Sequence, residues 1–475
     1  MSTLTTLRFS DYAKIIGGKQ GFLIYHSLFS NPVIIGPDIY NILTCVMDCK
    51  ENISVPCDSR IDQLINSLKD QHFLVETGVD ERELLQQKII KHCEILASGS
   101  QLRHLDLSVS EVCNFGCKHC IHNISVGDTR GPKKLMEWAM AKKVIDRYMF
   151  NIEKHNLSES EIHFGTVEPL INWSLIQQSV NYCESFYPSI KHHFHIETNL
   201  SLLDMPIAKF LKEHNVKIAV SIDGYKAAND MIRITSSGTG TFDCIAEKCQ
   251  LLSSIEYPLS GFTLTMTDKN IHSVGTDILD WACEMGMTEI DMDIDLLSST
   301  GLSVEECVNK IMFLHYECLS RGLKTTGTWK MPYMNLINKL PLSDSVPPSL
   351  CSSAGGQNIA ISPEGKIYIC GHSSVEIGDI SDFDNFFNKN GRFLSLISSR
   401  LSGQNKMCIG CEIESQCAGQ CQVTREVSER TGDNKKVDFM CEFYRTITRK
   451  LLIDKINKEY SCETDNFGIF FPEKE

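Results

Sequence analysis

The chain holds 475 residues, too many for one ordinary domain and enough for two or three hydrophobic cores. Hydrophobic residues at 42% beside 22% charged ones mark a globular protein, and no run of about 18 apolar residues marks a membrane span. A net charge of −14 argues against broad nucleic-acid binding, which needs a basic surface. Met1 to Ser10 lacks the basic-then-apolar pattern of a signal peptide. The 21 cysteines therefore read as metal-bound or buried thiols in a reducing cytoplasm, not as a secreted disulfide framework.

Residues 1–90 read as a small separate domain. The apolar runs Gly21–Tyr25 and Asn31–Ile35 predict a hairpin. Helical patterns follow, through Ile39, Ile42, Leu43 and Val46 and then through Ile61, Leu64, Ile65 and Leu68, ending near Phe73-Leu74-Val75. A hairpin followed by helices is the plan of a winged helix, which serves DNA binding, structural packing or the capture of a peptide along a strand edge. The acidity of the chain disfavours the first. Glu81 to Ala97 reads as a helix leading into a linker at 91–101.

From 102 to 323, short apolar runs alternate with longer amphipathic ones. Strand candidates are Leu105–Val109, Glu161–Phe164, Phe194–Thr198, Ile218–Ile222, Gly261–Thr265 and Glu289–Asp293. Such alternation implies right-handed crossovers and a parallel sheet, and six units fit an open partial barrel better than a closed eightfold one. Just beyond the first strand stands Cys113-Asn-Phe-Gly-Cys117-Lys-His-Cys120. Three thiols this close can converge on one metal centre. Zinc would want a fourth ligand, with His119 or His122 at hand, whereas a four-iron cluster would leave one iron without a protein ligand. The spacing alone does not choose. In Asp291-Met-Asp293-Ile-Asp295 the alternation puts three carboxylates on one strand face, read either as a solvated strand end or as a face that brings one carboxylate to the barrel mouth, with no assigned base.

A linker at 324–346 precedes a cysteine-rich region at 347–460 and a tail at 461–475. The region carries Cys351 and Cys370 around Gly365, then Cys408, Cys411, Cys417 and Cys421, then Cys441. Seven thiols in a segment short of apolar core suggest metal centres that supply fold stability. One all-thiolate zinc site from Cys408, Cys411, Cys417 and Cys421 would leave the other three without a role. The eleven cysteines elsewhere lack ligand spacing and read mostly as core.

The two ordered patterns, CxxxCxxC and the seven-cysteine array, resemble a radical S-adenosylmethionine enzyme carrying a SPASM domain, over roughly residues 100–445. The intervening marks follow the family order: Thr166-Val167-Glu168-Pro169, Glu197-Thr198-Asn199, Val220-Ser221-Ile222-Asp223-Gly224, and Asn229-Asp230 to Arg233. The resemblance implies a partial (β/α)6 barrel with a winged-helix-like N-terminal domain and a C-terminal SPASM domain. It implies a [4Fe-4S] cluster on Cys113, Cys117 and Cys120 that cleaves S-adenosylmethionine to a 5′-deoxyadenosyl radical. Cofactor contacts carry over to Glu168, Asn199, Ser221 and Arg233, the last as partner of the methionine carboxylate. Thr166 and Val167 replace the family's two glycines, which implies a changed contact there. Two auxiliary [4Fe-4S] clusters are implied, one on Cys408, Cys411, Cys417 and Cys441, the other on Cys351, Cys370 and Cys421. Where relatives have an eighth thiol, Ser343–Ser349 has none, leaving an open iron or a ligand such as Asp344. Phe115 and His119 read as packing.

The resemblance further implies an enzyme of peptide maturation, with residues 1–90 gripping the leader of a ribosomally made precursor. A thioether crosslink is favoured, with a carbon–carbon crosslink or epimerisation as other outcomes. The alternative is a sulfatase-maturating enzyme that forms formylglycine. A flavodoxin or ferredoxin is the expected electron donor. No nucleic acid and no membrane partner is expected.

Overall fold

The computed structural model describes residues 7–48, 59–127, 129–295, 297, 301–338, 349–401, 403–460 and 469–474. Four strands open it: β1 (Leu7–Phe9), β2 (Ala13–Gly17), β3 (Phe22–His26) and β4 (Ser30–Ile35). β2, β3 and β4 pair antiparallel, with the β3–β4 hairpin where the apolar runs predict it. Helices α1 (Pro37–Asp48) and α2 (Ser59–Asp70) follow, and β5 (Leu74–Glu76) returns to pair with β1. Side chains alternate across a pleated strand, so this sheet serves two cores. Leu23, Tyr25 and Ile34 join the main core. Ile24, Val33 and Ile35 face the other way and pack with Ile39, Leu43, Leu64 and Leu68 in a smaller one. Helix α3 (Glu81–Leu96) starts at Asp80, whose carboxylate accepts from the amides of Arg82 and Glu83.

The central sheet begins with β6 (His104–Leu107), β7 (Glu159–Phe164), β8 (Lys191–Thr198) and β9 (Lys217–Val220), all parallel neighbours. A single parallel bridge, Ser221 to Thr263, hands the array on to β10 (Gly261–Met266). Parallel β11 (Glu289–Ile294) and β12 (Lys324–Thr326) complete it. The array thus has seven parallel strands, one more than the six expected. β12 falls inside the segment expected to be a linker, and its three residues are too few for periodicity to register. β13 (Asn358–Ile361) then adds parallel to the free edge of β6, followed by antiparallel β14 (Lys366–Tyr368) and β15 (Glu376–Asp379). Among the described residues no pairing closes β12 onto the far edge, so the barrel is open.

Helices cover the outer face, where Leu105, Leu107, Ile162, Phe164 and Ile196 are fully buried. The alternate residues His104, Asp106, Glu161, His163, His193 and His195 therefore face the lumen. The long helix Lys435–Glu459 packs on Val304–Ser320 and on β2 and β3, tying the chain's two ends together. β16 (Ile469–Phe470) pairs antiparallel with β4, so one edge of the N-terminal sheet is already occupied.

Candidate active site

A cavity of about 260 Å³ sits at the carboxyl ends of the parallel strands, where strand-end chemistry collects in this architecture. The loop after β6 forms one wall. It lies strapped against the segment that follows Ile232: Gly116 N donates to Ile234 O at 2.8 Å, and Lys118 N to Ile232 O at 2.9 Å. A side chain at Gly116 would press on the Thr235 carbonyl, so glycine permits this approach. The strapping turns Cys113, Cys117 and Cys120 onto the cavity.

Burial pushes the Cys117 thiol up to about 11 despite the adjacent Arg233 cation, and it raises Cys113 as well. Three half-buried thiols turned onto one cavity suit a bound metal centre, whose charge turns thiols into thiolate ligands. The donor set therefore fits the implied cluster.

Of the four expected cofactor contacts, Asn199, Ser221 and Arg233 line the cavity and Glu168 does not. Glu168 lies fully buried behind the wall. It accepts from Asn199 N at 2.8 Å, Thr198 Oγ1 at 2.7 Å and Leu170 N at 3.0 Å, pinning the end of β8 to the turn after β7. Asn199 serves the cysteine loop: its Nδ2 donates to Asn114 Oδ1 at 3.0 Å and approaches Cys113 Sγ at 3.8 Å. Arg233 donates from Nε to Asp223 Oδ2 at 2.9 Å and reaches Cys117 Sγ at 3.7 Å. Its guanidinium is thus shared between a buried carboxylate and the thiol wall.

Sequence reasoning passed over Asp223 and misread His119. His119 does more than pack, since its Nε2 lies 3.2 Å from Asp223 Oδ2. Burial alone would push Asp223 up, but Arg233 and then His119 outweigh it and hold the carboxyl well below its ordinary range. The available signal was an acid at the carboxyl end of a parallel strand, Ile222-Asp223-Gly224. Three further acids to which the sequence reading gave no role, Glu197, Asp293 and Asp295, line the cavity. Glu197 lines the cavity and is raised by burial and then by Asp106. Asp293, on the strand read as either a solvated end or one reaching the barrel mouth, faces the cavity, and burial followed by Asp291 pushes it up to about 7. Its oxygens accept from Thr328 Oγ1 at 2.7 Å and Thr328 N at 3.1 Å.

Thr166 and Val167 line the same cavity. Thr166 keeps a glycine-like backbone, φ +86°, so the chain retains the loop shape without the glycine.

The seven C-terminal thiols fall into two neighbourhoods. Cys417 lies near Cys441, Cys408 and Cys411, and Cys370 lies near Cys421 and Cys351. Burial raises Cys408 to about 12 and Cys421 to about 11. Asp344 lies outside the described residues. Among the remaining cysteines, Cys183, Cys249, Cys307 and Cys318 are buried as expected, Cys93 and Cys244 are half-buried, and Cys283 is exposed. Cys49, Cys57, Cys462 and the side chain of Cys45 lie outside the description.

Residues 107–279 match the Radical SAM superfamily model. The chain is 24% identical to the radical SAM cyclopropyl synthase TigE of Paramaledivibacter caminithermalis, over 91% of this chain and 93% of that protein. It is 22% identical to a cysteine-type anaerobic sulfatase-maturating enzyme of Clostridium novyi, over 72% of this chain and 92% of that protein. Among solved structures, anSMEcpe with bound AdoMet superimposes with a TM-score of 0.59 at 18% identity, covering 75% of this chain and all of its own. Streptococcus suis SuiB bound to precursor peptide SuiA gives 0.51 at 14%, covering 88% of this chain and 96% of its own. At these identities the structural likeness shows a mixed α/β radical SAM fold. No described helix is long and apolar enough to cross a membrane.

Proposed function

The chain is a radical SAM superfamily enzyme, and from that premise we propose that it matures a ribosomally made precursor peptide. The observation that carries this reading is the thiol-walled cavity at the barrel mouth in a chain that also has an N-terminal sheet outside the barrel. The sulfatase-maturase structure leaves a quarter of this chain without a counterpart, whereas the peptide-bound SuiB structure covers 88% of it. In this reading residues 1–90 take the leader of the precursor, and the barrel at 102–323 acts on its core.

The [4Fe-4S] cluster on Cys113, Cys117 and Cys120 would supply the electron that cleaves S-adenosylmethionine and so the radical that takes a hydrogen atom from the peptide. Asn199, Ser221 and Arg233 border the cofactor, with Asp223 and His119 fixing the arginine. Asp293 receives the proton released as the substrate is oxidised. Auxiliary clusters on Cys408, Cys411, Cys417 and Cys441 and on Cys351, Cys370 and Cys421 would take the electron onward, and a flavodoxin or ferredoxin would be the donor. The likeness to a cyclopropyl synthase along nearly the whole chain favours carbon–carbon bond formation as the first product to seek. The thioether is second, favoured by the three-thiol auxiliary site, which leaves room for a peptide thiolate.

Anaerobically reconstituted enzyme, reductant, S-adenosylmethionine and the precursor peptide test the proposal. The expected result is 5′-deoxyadenosine together with a peptide lighter by one pair of hydrogens. Alkylation of free thiols in the product separates a carbon–carbon bond, which leaves cysteine reactive, from a thioether, which does not. A fully loaded enzyme that makes no 5′-deoxyadenosine would overturn the reading. Conversion of a sulfatase peptide to formylglycine, with the precursor untouched, would favour the alternative.

A further inference from the structure

The lumen-facing positions of three adjacent strands carry one kind of chemistry. β6 offers His104 and Asp106, β7 offers Glu161 and His163, and β8 offers His193 and His195. Parallel register sets His104 opposite Glu161, Asp106 opposite His163 and His163 opposite His195. Glu161 is the hub. His104 Nδ1 lies 2.7 Å from one of its oxygens, and His163 Nε2 lies 2.8 Å from the other. His195 Nε2 approaches that second oxygen at 3.3 Å.

Three imidazoles from three strands crowd one carboxylate, with the His163 and His195 rings stacked at 4.5 Å. One ligand atom each from His104, Glu161 and His163 lie within 4.8 Å of one another. Three nitrogens and one oxygen are the donor set of a tetrahedral divalent site, and the absence of sulfur selects zinc-class ions over iron–sulfur chemistry. A ligating histidine usually has a carboxylate behind its second nitrogen. Asp106 stands there, 3.8 Å from His163 Nδ1 and held by Asn358 Nδ2 of β13 at 2.7 Å. The four side chains are between 26% and 39% exposed, so an ion can reach them through the open lumen.

We propose that His104, Glu161, His163 and His195 form a zinc-class metal site in the barrel lumen, separate from the thiol-walled cavity. None of the four lines that cavity. Glu197, two residues beyond His195 on β8, does line it, which puts the two sites about 7 Å apart along the strand. The ion would clamp three neighbouring strands of a barrel that, among the described residues, no pairing closes.

The test uses the reconstituted holoenzyme, incubated anaerobically with one equivalent of Zn2+ and desalted. Zinc and iron analysis and zinc-edge X-ray absorption follow. The expected result is one zinc per chain, with nitrogen and oxygen neighbours at about 2.0–2.1 Å, imidazole outer-shell scattering and unchanged iron. His163→Ala combined with His195→Ala should lose the zinc. His193→Ala should keep it, because that ring turns to Glu159 at 3.6 Å. Sulfur neighbours at about 2.3 Å would put the zinc on the cysteines and overturn the proposal. Zinc lost on desalting, or held equally by the double variant, would overturn it too. Should the double variant misfold, Glu161→Gln replaces it, and the wild-type spectrum still decides between nitrogen and sulfur ligation.

Discussion

At Thr166 the backbone takes φ +86°, a conformation that costs a β-branched residue about 1–3 kcal/mol. Two neighbours accommodate the side chain. Ser108 Oγ meets the Thr166 hydroxyl at 2.9 Å, and Gly371, beside Cys370, leaves the space that its own Cβ would fill. Gly371 does not need a positive φ, so Gly371→Ala should be harmful only through Thr166. Its expected cost is about 2 kcal/mol in urea denaturation, as for overpacking. Thr166→Gly in the same chain should restore most of that loss, a coupling that a double-mutant cycle reads directly. Asp293 raises a different matter at this scale. Its carboxyl, pushed up to about 7 by burial and then by Asp291, is protonated below neutrality and becomes a competent proton acceptor as pH rises through about 7. Peptide product should therefore rise with pH across that range. Asp293→Asn should flatten this limb and lower product formation by about 10²-fold while 5′-deoxyadenosine continues to form. Equal loss of both products would remove Asp293 from the proton step.

Helix α3 joins regions remote in sequence. Its first residue, Glu81, is buried and accepts from Ser10 Oγ at 2.6 Å and from His26 Nε2 at 2.8 Å, which fixes the N-terminal sheet. Arg82 reaches the other way, forking onto both oxygens of buried Glu414 at 3.0 and 2.9 Å, between Cys411 and Cys417. Arg82→Ala leaves Glu414 buried without its cation, and such a loss costs about 3 kcal/mol. The expected phenotype is a lower iron content with 5′-deoxyadenosine formation retained, because the damage falls on the C-terminal thiols and spares Cys113, Cys117 and Cys120. The elements themselves differ in how openly the sequence announces them. β6 to β11 were legible because period-two alternation repeats over four to eight residues in each. β12 is too short to show a period, and β13 was hidden because its parallel partner β6 lies some 250 residues upstream in sequence, beyond any local pattern. The cysteine spacing was legible for a chemical reason, since ligand geometry restricts it. Asp223 was not, because its meaning depends on Arg233 and His119, which only the tertiary fold brings together. β16 was equally invisible, and it bears on peptide capture. Its pairing occupies the β4 edge that an added peptide strand would use. A chain ending at Tyr460 should bind a leader peptide more tightly than the full chain in a fluorescence titration. Unchanged affinity would place the peptide away from β4.

Across the whole molecule, the C-terminal region is continuous with the barrel. β13 extends the sheet of β6, so one hydrogen-bonded array runs from β15 to β9. Cys351 precedes β13 and Cys370 follows β14, so the three-thiol neighbourhood is built on the same sheet that carries the cysteine loop. Arg130, after that loop, donates to the carbonyls of Gly371 and Ser373 and stacks 3.6 Å over the Tyr368 ring, closing the link from the opposite side. Metal binding energy spent on ordering the C-terminal thiols should therefore also hold β6. The N-terminal face formed by Ile24, Val33, Ile35, Leu43 and Leu64 belongs to a separate core and lacks that dependence. Hydrogen exchange on the protein before and after iron chelation should show this partition. Protection at β13, β14 and β6 should fall together, by about tenfold or more, as parts of one cooperative unit. Protection at α1 and α2, whose buried residues belong to the smaller core, should change far less. Loss confined to 347–460 with β6 unmoved would mean that the shared sheet does not carry the stabilisation, and that the barrel stands without its auxiliary thiols.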